Sequence, residues 1–212
     1  IGFPELFWVE DFHPGQAPGV RLGYKGKMEI QMAYSYDGYA WHRPTGRASF
    51  IPLGKQGEWD DGALTVGHNA LEYGDDVLIY YTGGQNDFFS IDDARVRKIG
   101  LAKIGRDRFA SLATDKDGYV DVYHGRPEGE SIVINARTNA GGQIRVEPRI
   151  TAGKSSNPID GFTRQQCSPI HGDSVRHPVS WNGKGWRDLR PDADLVLRFY
   201  LQNAEVFAYE IV

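Results

Sequence analysis

Trp59, Asp60 and Asp61 stand together in the run Gly57-Glu58-Trp59-Asp60-Asp61-Gly62, and His68 follows shortly after. Cleaving a glycosidic bond takes two carboxyls flanking the linking oxygen, one protonated and one ionised. Holding a sugar takes an aromatic face for the apolar side of the ring and polar side chains for its hydroxyls. The cluster carries both ingredients: Trp59 as the platform, Asp60 and Asp61 as catalytic carboxylates or hydroxyl acceptors, His68 as a lining residue. The same aspartates also suit a second role, in which their side chains cap a turn. A histidine after a glycine likewise serves as a loop donor.

Trp181-Asn182-Gly183-Lys184-Gly185-Trp186-Arg187 places two indoles around a tight turn. Trp186 at the far side of that turn is a second candidate for stacking a sugar ring, or else a core residue. Trp181, on an alternating strand, is expected in the core.

Other spacings read as structure. Asp37-Gly38, between two strand patterns, is turn chemistry, with Trp41 expected to pack between propeller-like blades. Asp115-Lys116-Asp117-Gly118 begins like a calcium loop but lacks the glutamate in register, so a turn is expected. His124, His171 and His177 match no metal-ligand spacing and are expected in solvated loops. Cys167, the only cysteine, has no visible base partner and is expected as a buried, inert thiol. No dinucleotide, P-loop or nucleophile-elbow motif occurs, so no metal and no cofactor are expected.

The elements that would position these residues are strands. The 212 residues include 26 Gly and 11 Pro for turns, with 5 Trp, 11 Tyr and 10 Phe for sheets, which predicts an all-β chain. In Lys27 to Ser35 residues alternate as in a half-buried strand, and Asp76 to Thr82 is the strongest strand pattern. A Pro/Gly loop is expected over 13–19, a polar loop carrying Phe88-Phe89 over 83–93, and a closing strand over 96–104. Met28–Trp41 and Ala63–Tyr81 read as two imperfect copies of one unit, the size of a propeller blade. Beyond Arg106-Asp107-Arg108-Phe109, short strands recur at about 10–20 residue intervals, which suits a β-sandwich. These read as Tyr119–Tyr123, Ser131–Ala136, Gly142–Pro148, Ser174–Trp181, Leu195–Tyr200 and Glu205–Val212. The expected organisation is therefore propeller-like blades over 1–105, followed by a C-terminal β-sandwich over 106–212.

A net charge of −4 is a poor match to phosphate backbones, which argues against nucleic-acid binding. No apolar run reaches about 18 residues, so no membrane-spanning helix is expected.

Several motifs resemble five-bladed β-propeller glycoside hydrolases of the family 43/family 32 type. Ala33-Tyr34-Ser35-Tyr36-Asp37-Gly38-Tyr39-Ala40-Trp41-His42-Arg43 is similar to their S-x-D-G-x-x-W-x-R hairpin. Phe50-Ile51-Pro52-Leu53-Gly54 with Gly57-Glu58-Trp59-Asp60-Asp61-Gly62 resembles the start of their next blade. Val77-Leu78-Ile79-Tyr80-Tyr81-Thr82-Gly83 resembles their IYYTG strand, and Ile99-Gly100-Leu101-Ala102 their last propeller strand. Segments such as Ile132-Val133-Ile134-Asn135 and Leu195-Val196-Leu197-Arg198-Phe199-Tyr200-Leu201 are similar to the sandwich that follows. The resemblance implies the last two blades plus the sandwich, with the Trp59-Asp60-Asp61 stretch facing a central pocket. The main catalytic carboxylates, which those enzymes carry on their first three blades, would be absent.

The implied function is glycoside-hydrolase-like action on, or binding of, oligo- or polysaccharide. The alternative is a non-catalytic carbohydrate-binding or structural β-sandwich module. Two blades cannot close a ring of about four or more. The expected partner beyond carbohydrate is therefore a second copy or a missing N-terminal propeller portion. An extracellular or periplasmic location follows from the substrate class.

Overall fold

The computed structural model describes residues 1–12, 24–85, 97–153 and 155–212. The loop expected over 13–19 lies outside these residues. So do Phe88-Phe89 and most of the loop around them.

The protein is all-β, and the one helical stretch among the described residues is the 3-10 turn Trp186–Asp188. No helix is long and apolar enough to cross a membrane. The chain divides into two compact units, Ile1–Ile104 and Gly105–Val212.

The first unit is built on β1 (Glu5–Phe12), β2 (Tyr24–Gln31), β3 (Ser49–Ile51), β4 (Ala63–Tyr73), β5 (Asp76–Gly84) and β6 (Arg97–Gly105). They form one sheet in the order β1-β2-β4-β5-β6, with β3 also on β2. β2 pairs antiparallel with both β1 and β3, and β4 pairs antiparallel with β5. The two groups meet at their edges through a single parallel pair, Met28 with Ala63. β5 shows why the strand pattern is legible. Val77 and Ile79 are buried on one face, while Leu78 and Tyr80 point to the other, as the two-residue period of a strand requires.

Gly100 in β6 faces the same side as Tyr81, because a Cβ there would lie 2.3 Å from the Tyr81 ring. Ile99 and Leu101 therefore project from the opposite face, with Tyr80 of β5. Leu71 stands opposite Leu78 in the β4–β5 register, and Tyr73 opposite Asp76, which pairs with Lys103 at 2.7 Å. This face is apolar and open: Ile99 is 78% exposed, Tyr73 76% and Leu101 50%.

The Asp37-Gly38 turn is wider than a two-residue hairpin. It is closed by the Tyr34–His42 backbone pair, and Asp37 Oδ1 accepts the N–H groups of Tyr39 at 2.8 Å and Ala40 at 2.9 Å. Gly38 takes the positive φ of 79° that this turn needs. Trp41 does not pack between structural units. It is half exposed, lies against Gly2, and donates its indole N–H to Gly38 O at 3.0 Å.

The second unit contains β7 (Leu112–Gly125), β8 (Ile132–Ala152), β9 (Ser155–Pro158), β10 (Asp173–Pro178) and β11 (Leu195–Ile211). The antiparallel sheet runs β10-β8-β11-β7, with β9 on β8. Sequence spacing divides β8 and β11 into two short strands each, yet both are continuous. Their pairing jumps from Gln202↔Gln143 to Ala204↔Thr138, and the β11–β7 register shifts at the same point. The extra residues belong to the partners: four of β8, Asn139 to Gly142, and two of β7, Asp115 and Lys116, stand opposite the single Asn203 of β11, whose φ is 43°. A bulge bends a sheet without ending its strands. Both halves of β8 and β11 contribute to one core, including Ile134, Ile144, Leu197 and Val206. That arrangement is sandwich-like.

Loop residues Phe162, Cys167, Trp181, Trp186 and Leu189 complete this core. Trp181 is fully buried and donates its N–H to Val146 O at 2.8 Å. The Asp115-Lys116-Asp117 segment, expected as a turn, lies inside β7 at its register shift.

Candidate functional site

Trp59 and Asp60 are brought together with Tyr81, a residue that the sequence reading did not single out. The Trp59 and Tyr81 rings stack at 5.8 Å and 20°. The Tyr81 hydroxyl donates to Asp60 Oδ2 at 3.1 Å. β5 sets this geometry by alternation: Tyr81 and Gly83 share a face, and the Trp59 ring lies across Gly83. A Cβ on Gly83 would sit 2.4 Å from the indole and 2.6 Å from the Asp60 Cβ, so only glycine permits the approach. Burial, reinforced by the Asp60 carboxylate, raises the Tyr81 phenol above its ordinary pKa, so it remains a donor at neutral pH. Trp59 is partly buried above buried Asp60.

Asp61 is buried in another role. Its Oδ2 accepts the Gly57 N–H at 2.6 Å and ties down the turn that carries Trp59. Asp60 also fixes this turn through its carbonyl, which accepts the Gly54 N–H at 3.1 Å. The turn-capping role is thus realised by the Asp61 side chain, whereas the Asp60 side chain accepts the Tyr81 hydroxyl instead. His68 is exposed where the β4–β5 register breaks between Val66 and Ala70. Among the described residues no hydrogen bond or ring contact joins it to the Trp59 cluster.

Trp186 requires a correction. It is 1% exposed, its edge packs on His124 at 5.3 Å, and its N–H donates to Glu128 O at 2.8 Å. Its ring faces are used inside the second unit and offer nothing to a sugar. The single 3-10 turn after Gly185 swings this indole inward.

His124, His171 and His177 do not converge. They contact Tyr209 Oη, Gly142 O and Ala136 O respectively, and His124 and His177 are half-buried rather than solvated. Among the described residues no group of three metal-ligating side chains forms. Cys167 is buried as expected. Desolvation pushes its thiol up to about 11, with partial relief from the Val146 N–H and the Arg145 charge.

The outer face of the second unit carries a polar network that sequence spacing does not reveal. Glu147 is buried on β8, where it pairs with Arg149 and accepts the Tyr200 hydroxyl at 3.2 Å and the Arg164 N–H at 2.7 Å. Arg164 stacks its guanidinium on Tyr200 at 4.4 Å. In the next row, Arg198 binds Asp121 through two nitrogens at 2.6 Å and lies 4.1 Å over Tyr119. The signal in the sequence was only alternation: Arg145, Glu147 and Arg149 share one face of β8.

Searches of protein-family models, curated proteins and solved structures return no match to the chain.

Proposed function

We propose that the chain binds oligosaccharide as the C-terminal part of a glycoside-hydrolase-like protein, and does not itself cleave the bound sugar. One observation carries the reading: a partly buried Trp59 ring, braced by Tyr81 and Gly83, stands beside a carboxylate and a phenol. A pyranose needs that pairing of an apolar platform with polar groups. Against catalysis, Asp61 is committed to the Gly57 turn and Asp60 to Tyr81. A general acid and base flanking one bond would need both carboxyls directed at substrate.

The open apolar face of β4, β5 and β6 supports the second part of the reading. Such a face is covered by a further layer when a protein functions, here a propeller portion of the same protein or a second copy. An exported location accompanies a polymeric substrate.

The test is calorimetric titration with neutral xylo-, arabino- and cello-oligosaccharides, alongside an assay for released reducing ends. Binding without release, weakened about tenfold or more in Trp59→Ala, is expected. Sustained sugar release that disappears in Asp60→Asn would overturn the non-catalytic assignment. Equal binding by Trp59→Ala would remove Trp59 as the platform.

A further inference from the structure

Most arginines in the strands of the second unit's outer face are neutralised locally. Arg149 pairs with Glu147, and Arg198 with Asp121. Arg145 and Arg164 form no ion pair among the described residues. They line an open pocket together with Gln165.

The pocket is held in place from beneath. Arg145 Nη1 donates to Cys167 O at 2.5 Å and to Arg164 O at 3.2 Å. The Arg164 N–H is anchored on buried Glu147. The Arg164 guanidinium rests on Tyr200, directly opposite Arg145 in the β8–β11 register. β8 and the loop anchored on it thus present two guanidiniums and an amide, with Arg164 seated on the Tyr200 ring. Guanidiniums bind carboxylate and sulfate oxygens in pairs, and the order is already imposed before any ligand arrives.

We propose that Arg145, Arg164 and Gln165 form a subsite for the acidic group of a charged glycan, a uronate carboxylate or a sulfate ester. This rests on the reading of the chain as sugar-binding, and it adds the substrate class: an acidic polysaccharide, recognised on a surface of the second unit. The overall negative charge does not oppose it, because screening confines electrostatics to about 8–10 Å at ordinary salt.

The experiment titrates the 212-residue chain with three probes of equal length: an oligogalacturonate, a sulfated oligosaccharide and a neutral oligosaccharide. Each is run against wild type, Arg164→Gln, Arg164→Lys and Trp59→Ala. Acidic probes should bind wild type about tenfold or more tighter than the neutral one. Arg164→Gln should erase that preference and Arg164→Lys restore part of it, and the preference should shrink as salt rises. Preference for the uronate over the sulfate, or the reverse, identifies the anion. Acidic and neutral probes binding equally, or a preference untouched in Arg164→Gln, would overturn the subsite. Neutral binding lost only in Trp59→Ala would then leave the proposed function standing. Acidic binding lost only in Arg164→Gln would keep the subsite and dismiss Trp59. No binding of any probe overturns both.

Discussion

The carboxylate of Glu147 accepts the backbone N–H of Arg164 at 2.7 Å across a gap of 17 residues. The contact joins a central strand to a surface loop, and the same carboxylate holds Arg149 and the Tyr200 hydroxyl. Glu147 is therefore the buried post on which the outer face of the second unit is arranged.

Glu147→Gln leaves Arg149 half-buried without its charge partner. Removing one member of a buried pair costs about 3–5 kcal/mol. The expected outcome is a loss of about that size in urea unfolding, with faster amide exchange at Arg164 than in wild type. An unchanged unfolding midpoint would show that Glu147 does not hold the face together.

Gly83→Ala drives a methyl into the Trp59 indole. Overpacking of this kind costs about 1–3 kcal/mol. The Trp59 ring should leave Tyr81, with a shift in tryptophan emission and weaker neutral-sugar binding. An alanine variant with wild-type emission and stability would mean that the ring does not lie on this strand.

Cys167 predicts a pH effect at the alkaline end. An unfolded thiol ionises near pH 8.5, whereas burial holds this one up to about 11. A folded pKa raised above the unfolded value gives stability that is complete below about pH 8.5 and lost as pH climbs through 11. Native protein at pH 8 should leave a thiol-reactive dye unchanged, and urea should release one equivalent. Fast labelling of the native chain would contradict the burial.

Asp121 predicts an effect at the acid end. Its two hydrogen bonds from Arg198 hold the carboxyl below its ordinary range. A depressed folded pKa gives stability present above the unfolded value of about 3.9 and lost as pH falls below it. The pair is partly solvated, so the effect is at most about 1 kcal/mol. Thermal midpoints of wild type and Asp121→Asn should differ at pH 6 and converge near pH 3. Parallel curves would assign the pair no role in stability.

The open face around Ile99 and Leu101 predicts self-association of the isolated chain. Light scattering at micromolar concentration should give a mass above the monomer, and Ile99→Lys with Leu101→Lys should restore the monomer. A wild-type chain that is strictly monomeric would dismiss self-association through this face.

Alternation along single strands was enough to read the all-β class and the β5 strand; Trp181 is in the core as expected, but from the loop after β10 rather than from an alternating strand. The class and the β5 strand depend on the two-residue period of a strand and on turn residues, both local properties of the chain. Asp37 was likewise legible as a turn residue, because its hydrogen bonds reach only neighbours two and three positions away. The continuity of β8 and β11 was not legible. Asn139-Ala140-Gly141-Gly142 reads as a break, whereas pairing on both sides carries the strand through a bulge. Trp186 reads from the sequence as either a stacking or a core residue, and only the fold shows that its indole joins Trp181 in one core. Tyr81 beside Trp59, and Arg164 on Tyr200, depend on strand register and loop closure over tens of residues. Sequence alone determined which residues favour strands and turns. Tertiary structure decided which side chains meet, because contact across a sheet is set by pairing partners distant in the chain.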